Sequence, residues 1–124
     1  MSVNVDVSQL QFQIETYGST PFLVTTSDDQ RPHLTHVVVT LDECVLRCQV
    51  GRKSATNASS RPQVSLLWPA VDEFGFSLIV DGVATVEPGD SPRLSIAAQK
   101  AVLHRNALGD GYKADCAAID GTPI

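Results

Sequence analysis

Apolar and polar residues alternate along most of this chain in short runs separated by turn chemistry, and a period of two predicts β-strands. Pro21 to Thr26, rich in β-branched and aromatic types, is a first strand. Ser27-Asp28-Asp29-Gln30 has turn composition, and Pro32 to Leu41 reads as a second strand, making the pair a hairpin. Val37-Val38-Val39 is apolar on both faces, which suits a strand with the core on one side and a partner or ligand on the other. From Cys44 the even positions Cys44, Leu46, Cys48 and Val50 are apolar, while the odd ones include Arg47 and Gln49. Gln63 to Trp68 puts Val64, Leu66 and Trp68 on one face. Phe74 to Glu87 holds the longest strand, with Phe76, Leu78, Val80, Gly82, Ala84 and Val86 sharing a face. Gly82 in mid-strand predicts a bend, a bulge or a close approach, as where a sheet curls into a barrel. Arg93 to His104 is a sixth strand whose phase changes: Leu94 and Ile96 are even, Ala101 and Leu103 odd. A bulge or break near Gln99-Lys100 accounts for that change.

Helical signals are few. Ser8 is placed to cap a helix, Leu10, Ile14 and Tyr17 recur at helical spacing, and Gly18 is a natural stop. Leu10, Phe12 and Ile14 also fit strand alternation, so both readings stay open there. Arg52 to Ser60 is a short helix carrying Ala55 and Ala58, ended by Arg61-Pro62. Six or more strands with one or two short helices predict a mainly β fold, a small barrel whose closure removes edge strands. At 124 residues the chain is expected to be one domain, 1–124, with its core at about 8–104 and a small, polar tail over 105–124. That tail would lie on the surface or cover an edge strand.

Composition narrows the partners. A net charge of −5 argues against nucleic acid or an anionic membrane, both of which need a basic surface. No apolar run approaches the roughly 20 residues that span a bilayer, and Met1-Ser2-Val3-Asn4-Val5-Asp6 lacks the basic start and apolar core of a signal peptide. Cys44 and Cys48, four apart on one strand, are about 13 Å apart at ~3.3 Å per residue, too far for a disulfide. With Cys116 the thiols number three, and an odd count without a framework predicts reduced thiols and a cytoplasmic setting. No metal-binding spacing occurs.

Against that acidic background one basic stretch stands out, Gln49-Val50-Gly51-Arg52-Lys53-Ser54-Ala55-Thr56-Asn57. Gly51 gives the backbone freedom to turn, and two cations with hydroxyl and amide groups then sit at a helix start. Unpaired N–H groups and a partial positive charge there make a seat for a phosphate. The same residues also read as ordinary solvated charges after a strand. His33 and His36, three apart on a strand, face opposite sides and are not a metal pair. The acid pairs Asp28-Asp29, Asp42-Glu43 and Asp72-Glu73 fall in turns and read as solvated charges. No residue declares itself a base or a nucleophile.

The order of parts resembles a known family. Arg31-Pro32-His33, a strand ending in Gly51-Arg52, a short segment with Asn57, Arg61-Pro62-Gln63-Val64-Ser65-Leu66-Leu67-Trp68 and a long strand with Val80-Asp81-Gly82-Val83-Ala84 are similar to the pyridoxamine 5′-phosphate oxidase-like split barrels. The likeness covers roughly residues 8–104 and is greatest to the small actinobacterial flavin- or deazaflavin-binding members. It implies a Greek-key split barrel that forms a homodimer, with FMN, or the deazaflavin F420, in a groove between protomers. It implies a phosphate near Gln49, Gly51, Arg52, Lys53, Ser54 and Asn57, a ring along His36 and Val37, and Trp68 helping to wall the pocket. It also implies an oxidoreductase in which the cofactor carries the hydride chemistry. A non-catalytic cofactor-binding barrel, or a dimeric barrel without cofactor, is the alternative. Many members carry a lysine three residues before the asparagine; here that place is Ser54, and Lys53 is displaced by one.

Overall fold

The computed structural model describes residues 2–105. In chain order these form β1 (Ser2–Val5), a 3-10 turn (Val7–Gln9), α1 (Leu10–Tyr17), β2 (Phe22–Thr26), β3 (Pro32–His36), β4 (Val39–Asp42), β5 (Val45–Gln49), α2 (Arg52–Ser60), β6 (Gln63–Trp68), β7 (Ser77–Glu87) and β8 (Arg93–His104). The expected tail lies outside the described residues, apart from Arg105, whose guanidinium sits 4.7 Å over the Phe76 ring.

All the strand pairings are antiparallel and make one eight-stranded sheet in the order β3-β2-β6-β7-β8-β5-β4, with β1 also on β8. The two ends of that order, β3 and β4, are consecutive in the chain. A two-residue link can join the ends of a sheet only if the sheet curls round on itself. The link keeps up the closure: the Val37 N–H donates to the Pro21 carbonyl at 3.1 Å and the Val39 N–H to that of Ser19 at 2.8 Å. The single strand expected over Pro32–Leu41 is therefore two, broken at Val37-Val38, where the chain changes partners from β2 to β5. Buried Val37 and Val39 face the core and Val38 faces out.

Long alternating strands pack their buried faces inside the curl. Leu23, Leu46, Leu66, Trp68, Leu78, Val80, Leu94 and Ile96 fill it, with Leu10 of α1. The two readings open for residues 10–14 resolve as helix, although Ser8 does not cap it: α1 starts without a side-chain cap, and Asp6 caps the 3-10 turn before it, its carboxylate accepting from the Ser8 N–H at 2.9 Å. Gly18 ends α1 at φ 90°, a left-handed conformation suited to glycine. Its carbonyl accepts the buried Trp68 indole N–H at 2.9 Å.

The phase change in β8 is a bulge. Asp81 pairs with Lys100 but the next residue, Gly82, pairs with Ala98, leaving Gln99 extra. Directly opposed residues share a face of a sheet, so the register also lays out the outer surface. One row runs His36, Phe22, Leu67, Ile79 and Val102 across β3, β2, β6, β7 and β8. The His36 and Phe22 rings stack at 4.6 Å. Beside them Leu34 and Val38 stand exposed.

Candidate cofactor site

At the end of β5 the chain leaves the sheet and starts α2, a nine-residue helix. Gly51 precedes it at φ −78° and ψ 172°, an extended conformation open to any residue, and an added Cβ would meet nothing within 4 Å. The turn thus needs no glycine. No side chain caps the helix start, which leaves its first-turn N–H groups for solvent or an anion. Arg52 and Lys53 are exposed, whereas Ser54, Ala55, Asn57 and Ala58 form the buried face.

Two clefts flank this helix start. One of about 620 Å³ lies between α2 and the β7–β8 turn, lined in part by Gln49, Gly51, Arg52, Ser59, Asp90 and Ser91. The other, of about 560 Å³, lies between α2 and the β2–β3 turn, lined by Ser27, Asp28, Asp29, Arg52, Lys53, Thr56 and Asn57. Arg52 and Thr56, one helical turn apart, border both. Asp28 and Asp29, which would repel an anion, are each paired elsewhere: Asp28 with Arg61, and Asp29 with Arg31 at 3.6 Å.

Of the residues singled out from the sequence, the structure gathers Gln49, Gly51, Arg52, Lys53 and Asn57 around α2. Ser54 is beneath them, 1% exposed and turned inward. Asn57 is buried too, and its amide donates to Thr25 Oγ1 at 3.1 Å and Ser27 Oγ at 3.4 Å. His36 and Val37 stand at the far end of β3 and line neither cleft. The His36 Nε2 lies 2.7 Å from the Thr20 carbonyl, to which it donates. Trp68 is in the core and lines neither cleft. Ser27, Ser59, Asp90 and Ser91 were not legible as cleft residues. They sit on turns or on the exposed side of α2, and only the fold brings them together.

Chemically the clefts offer cations, hydroxyls and an amide, a donor set suited to a phosphorylated polar molecule. Both volumes fall within the roughly 300–1,000 Å³ of small-molecule sites. Burial pushes the Cys48 thiol up to about 11, so it is no ready nucleophile. Among the described residues no group of three His, Cys, Asp or Glu is placed to hold a metal ion. Nor is any of their helices long and apolar enough to cross a membrane.

Comparison with solved structures finds this architecture repeatedly. A Listeria innocua protein named for pyridoxamine 5′-phosphate oxidase superposes with a TM-score of 0.65 at 13% identity, over 79% of this chain and 98% of that one. A structure named F420 reductase gives 0.59 at 17% identity, over 67% and 88%. HutZ, a heme storage protein of Vibrio cholerae, gives 0.62 at 13% identity, over 82% and 96%. The curled eight-stranded sheet and these likenesses define the class: the fold is a pyridoxamine 5′-phosphate oxidase-like split barrel. No family model matches the chain. Two curated relatives, uncharacterized proteins of Mycobacterium bovis and Mycobacterium tuberculosis, are each 32% identical over 120 residues, covering 86% of this chain and 84% of their own length. The chain belongs to the family of these mycobacterial proteins.

Proposed function

We propose that this protein is a cytoplasmic flavin- or deazaflavin-dependent oxidoreductase that binds FMN or F420 at a homodimer interface and acts on a small organic substrate. The observation that carries the reading is the exposed pair Arg52 and Lys53 at the uncapped start of α2, between two clefts of cofactor size. A phosphate fits there by charge, and the two nearest carboxylates, Asp28 and Asp29, are already paired with other cations. Arg52 and Lys53 would hold the phosphate; Gln49, Thr56 and Ser59 would bond the polar chain that follows it. When bound, the cofactor would supply the hydride chemistry. The protein's part is to orient it and keep water from it. The apolar row on the outer face, His36 to Val102, with exposed Leu34 and Val38, is the surface a second copy would cover.

The experiment is a titration of the purified protein with FMN and, separately, F420, followed by fluorescence. Replacing Arg52 and Lys53 together by alanine is expected to weaken binding by about 1.5–3 kcal/mol for each charge-assisted bond lost. Equal affinity in the double variant overturns this phosphate seat.

One observation favours a second reading. The position where many split barrels of this class carry a lysine is Ser54, buried and turned away from both clefts' openings. A dimeric barrel that binds a cofactor without catalysis, or binds none, fits that loss. Failure of both titrations in a folded dimer would select it.

A further inference from the structure

α2 buries one narrow face against the sheet. Its inward face is Ser54, Ala55, Asn57 and Ala58, so only two small methyl groups anchor it by apolar contact. Two alanines remove little surface from water, and the position of such a helix is set largely by directional bonds. Those bonds come from residues four apart. Asn57 donates through one amide group to Thr25 Oγ1 and Ser27 Oγ. Arg61, whose N–H closes the helix on the Asn57 carbonyl at 2.8 Å, donates from Nε to the Thr26 carbonyl at 3.0 Å. Its guanidinium also pairs with the Asp28 carboxylate. Four successive residues, 25 to 28, are thus gripped in turn by Asn57 and Arg61.

The grip has a second consequence at the cleft. Asp28 lines the same cleft as Arg52 and Lys53. Left alone, its carboxylate would oppose any anion those cations attract. The geometry points to Asn57 and Arg61 as positioning residues that clasp the β2–β3 turn to α2 and, through Arg61, mask Asp28, so that the cleft beside Arg52 and Lys53 accepts an anion. This inference rests on the phosphate seat proposed above. It adds that a residue outside the cleft lining sets the seat's charge.

The test uses inorganic pyrophosphate as a minimal anion, measured by calorimetry on the full chain, beside the FMN and F420 titrations. Arg61→Gln is expected to weaken pyrophosphate binding about fivefold, the modest size expected of one solvent-facing pair. Adding Asp28→Asn to it should restore affinity to near the wild-type value, because the unmasked carboxylate is gone. A lost structural contact would not be restored by removing its partner. Should Arg61→Gln fail to fold, Asp28→Asn alone decides: it should tighten pyrophosphate binding, since the Arg61 charge is then uncompensated. Unchanged binding in Arg61→Gln, no recovery in the pair, or no tightening in Asp28→Asn overturns the clasp. So does the absence of pyrophosphate binding by the wild type. Pyrophosphate bound and responding as described, with neither FMN nor F420 bound, overturns the cofactor reading and leaves the clasp standing.

Discussion

Gly82 shows what a single residue contributes here. It is buried on the inner face of β7, and a Cβ built on it would lie 2.6 Å from the Ala97 carbonyl oxygen and 2.7 Å from Ile96 Cγ2. The first of those atoms is backbone and cannot swing aside. Gly82→Ala is therefore expected to cost about 1–3 kcal/mol by overpacking, seen as a lower denaturation midpoint with little change in slope. Gly51→Ala, in open space, should cost far less. Cys48 makes a pH prediction. Burial raises its thiol to about 11, so at alkaline pH the folded chain keeps a proton that the unfolded chain has released. The stability this gives is full below the ordinary thiol range and is lost as pH rises toward 11. Relative to its own stability at neutral pH, a Cys48→Val variant should lose less between those limits in denaturant titrations.

At the scale of elements the decisive feature is the bulge in β8. Leu94 and Ile96 face the core on one side of it and Ala101 on the other, and Gln99 alone shifts the phase. Deleting Gln99 should keep Ala101 inward and Lys100 outward, since Ala98 and Lys100 then oppose Gly82 and Asp81 in turn with no extra residue between them. The expected outcome is retained cooperative unfolding by circular dichroism, and a loss of cooperativity would overturn the reading of Gln99 as a single inserted residue. That bulge was legible in the sequence because two buried stretches of opposite parity cannot share one unbroken strand. Other elements were not. β1 is four residues of which only the half-buried Val5 packs against the core, too short an alternation to be read as a strand. The Val37-Val38-Val39 run has the pattern of one strand covered on both faces. Its third valine instead belongs to a new strand, because barrel closure swaps the partner there. The helix and its cations could be read from Gly51 to Ser60, but the clasp could not. Its members at 25–28 and at 57 and 61 are brought together by folding alone.

For the whole molecule, the outer face carries the expectation. A row of half-buried Phe22, Leu67, Ile79 and Val102 beside exposed Leu34 is more apolar than a solitary barrel needs. Leu34 is 57% exposed, so changing it should spare the fold. Leu34→Glu is expected to shift a dimer toward monomer in light scattering behind size-exclusion chromatography, with unchanged circular dichroism. A wild-type monomer in that measurement would remove the interface from the proposed mechanism and leave only the clefts around α2.

β8 also bears on how the chain is made. Its N-terminal half pairs with β5, its C-terminal half with β1, and its whole length with β7. Residues 2–5 are translated well before their partners, 101–104. At about 5–20 residues per second, β1 waits on the order of 5–20 seconds for a mate. During that interval β2, β6 and β7 can pair among themselves, but the curl has no closing strand. The sheet is therefore sealed only once β8 has cleared the ribosome.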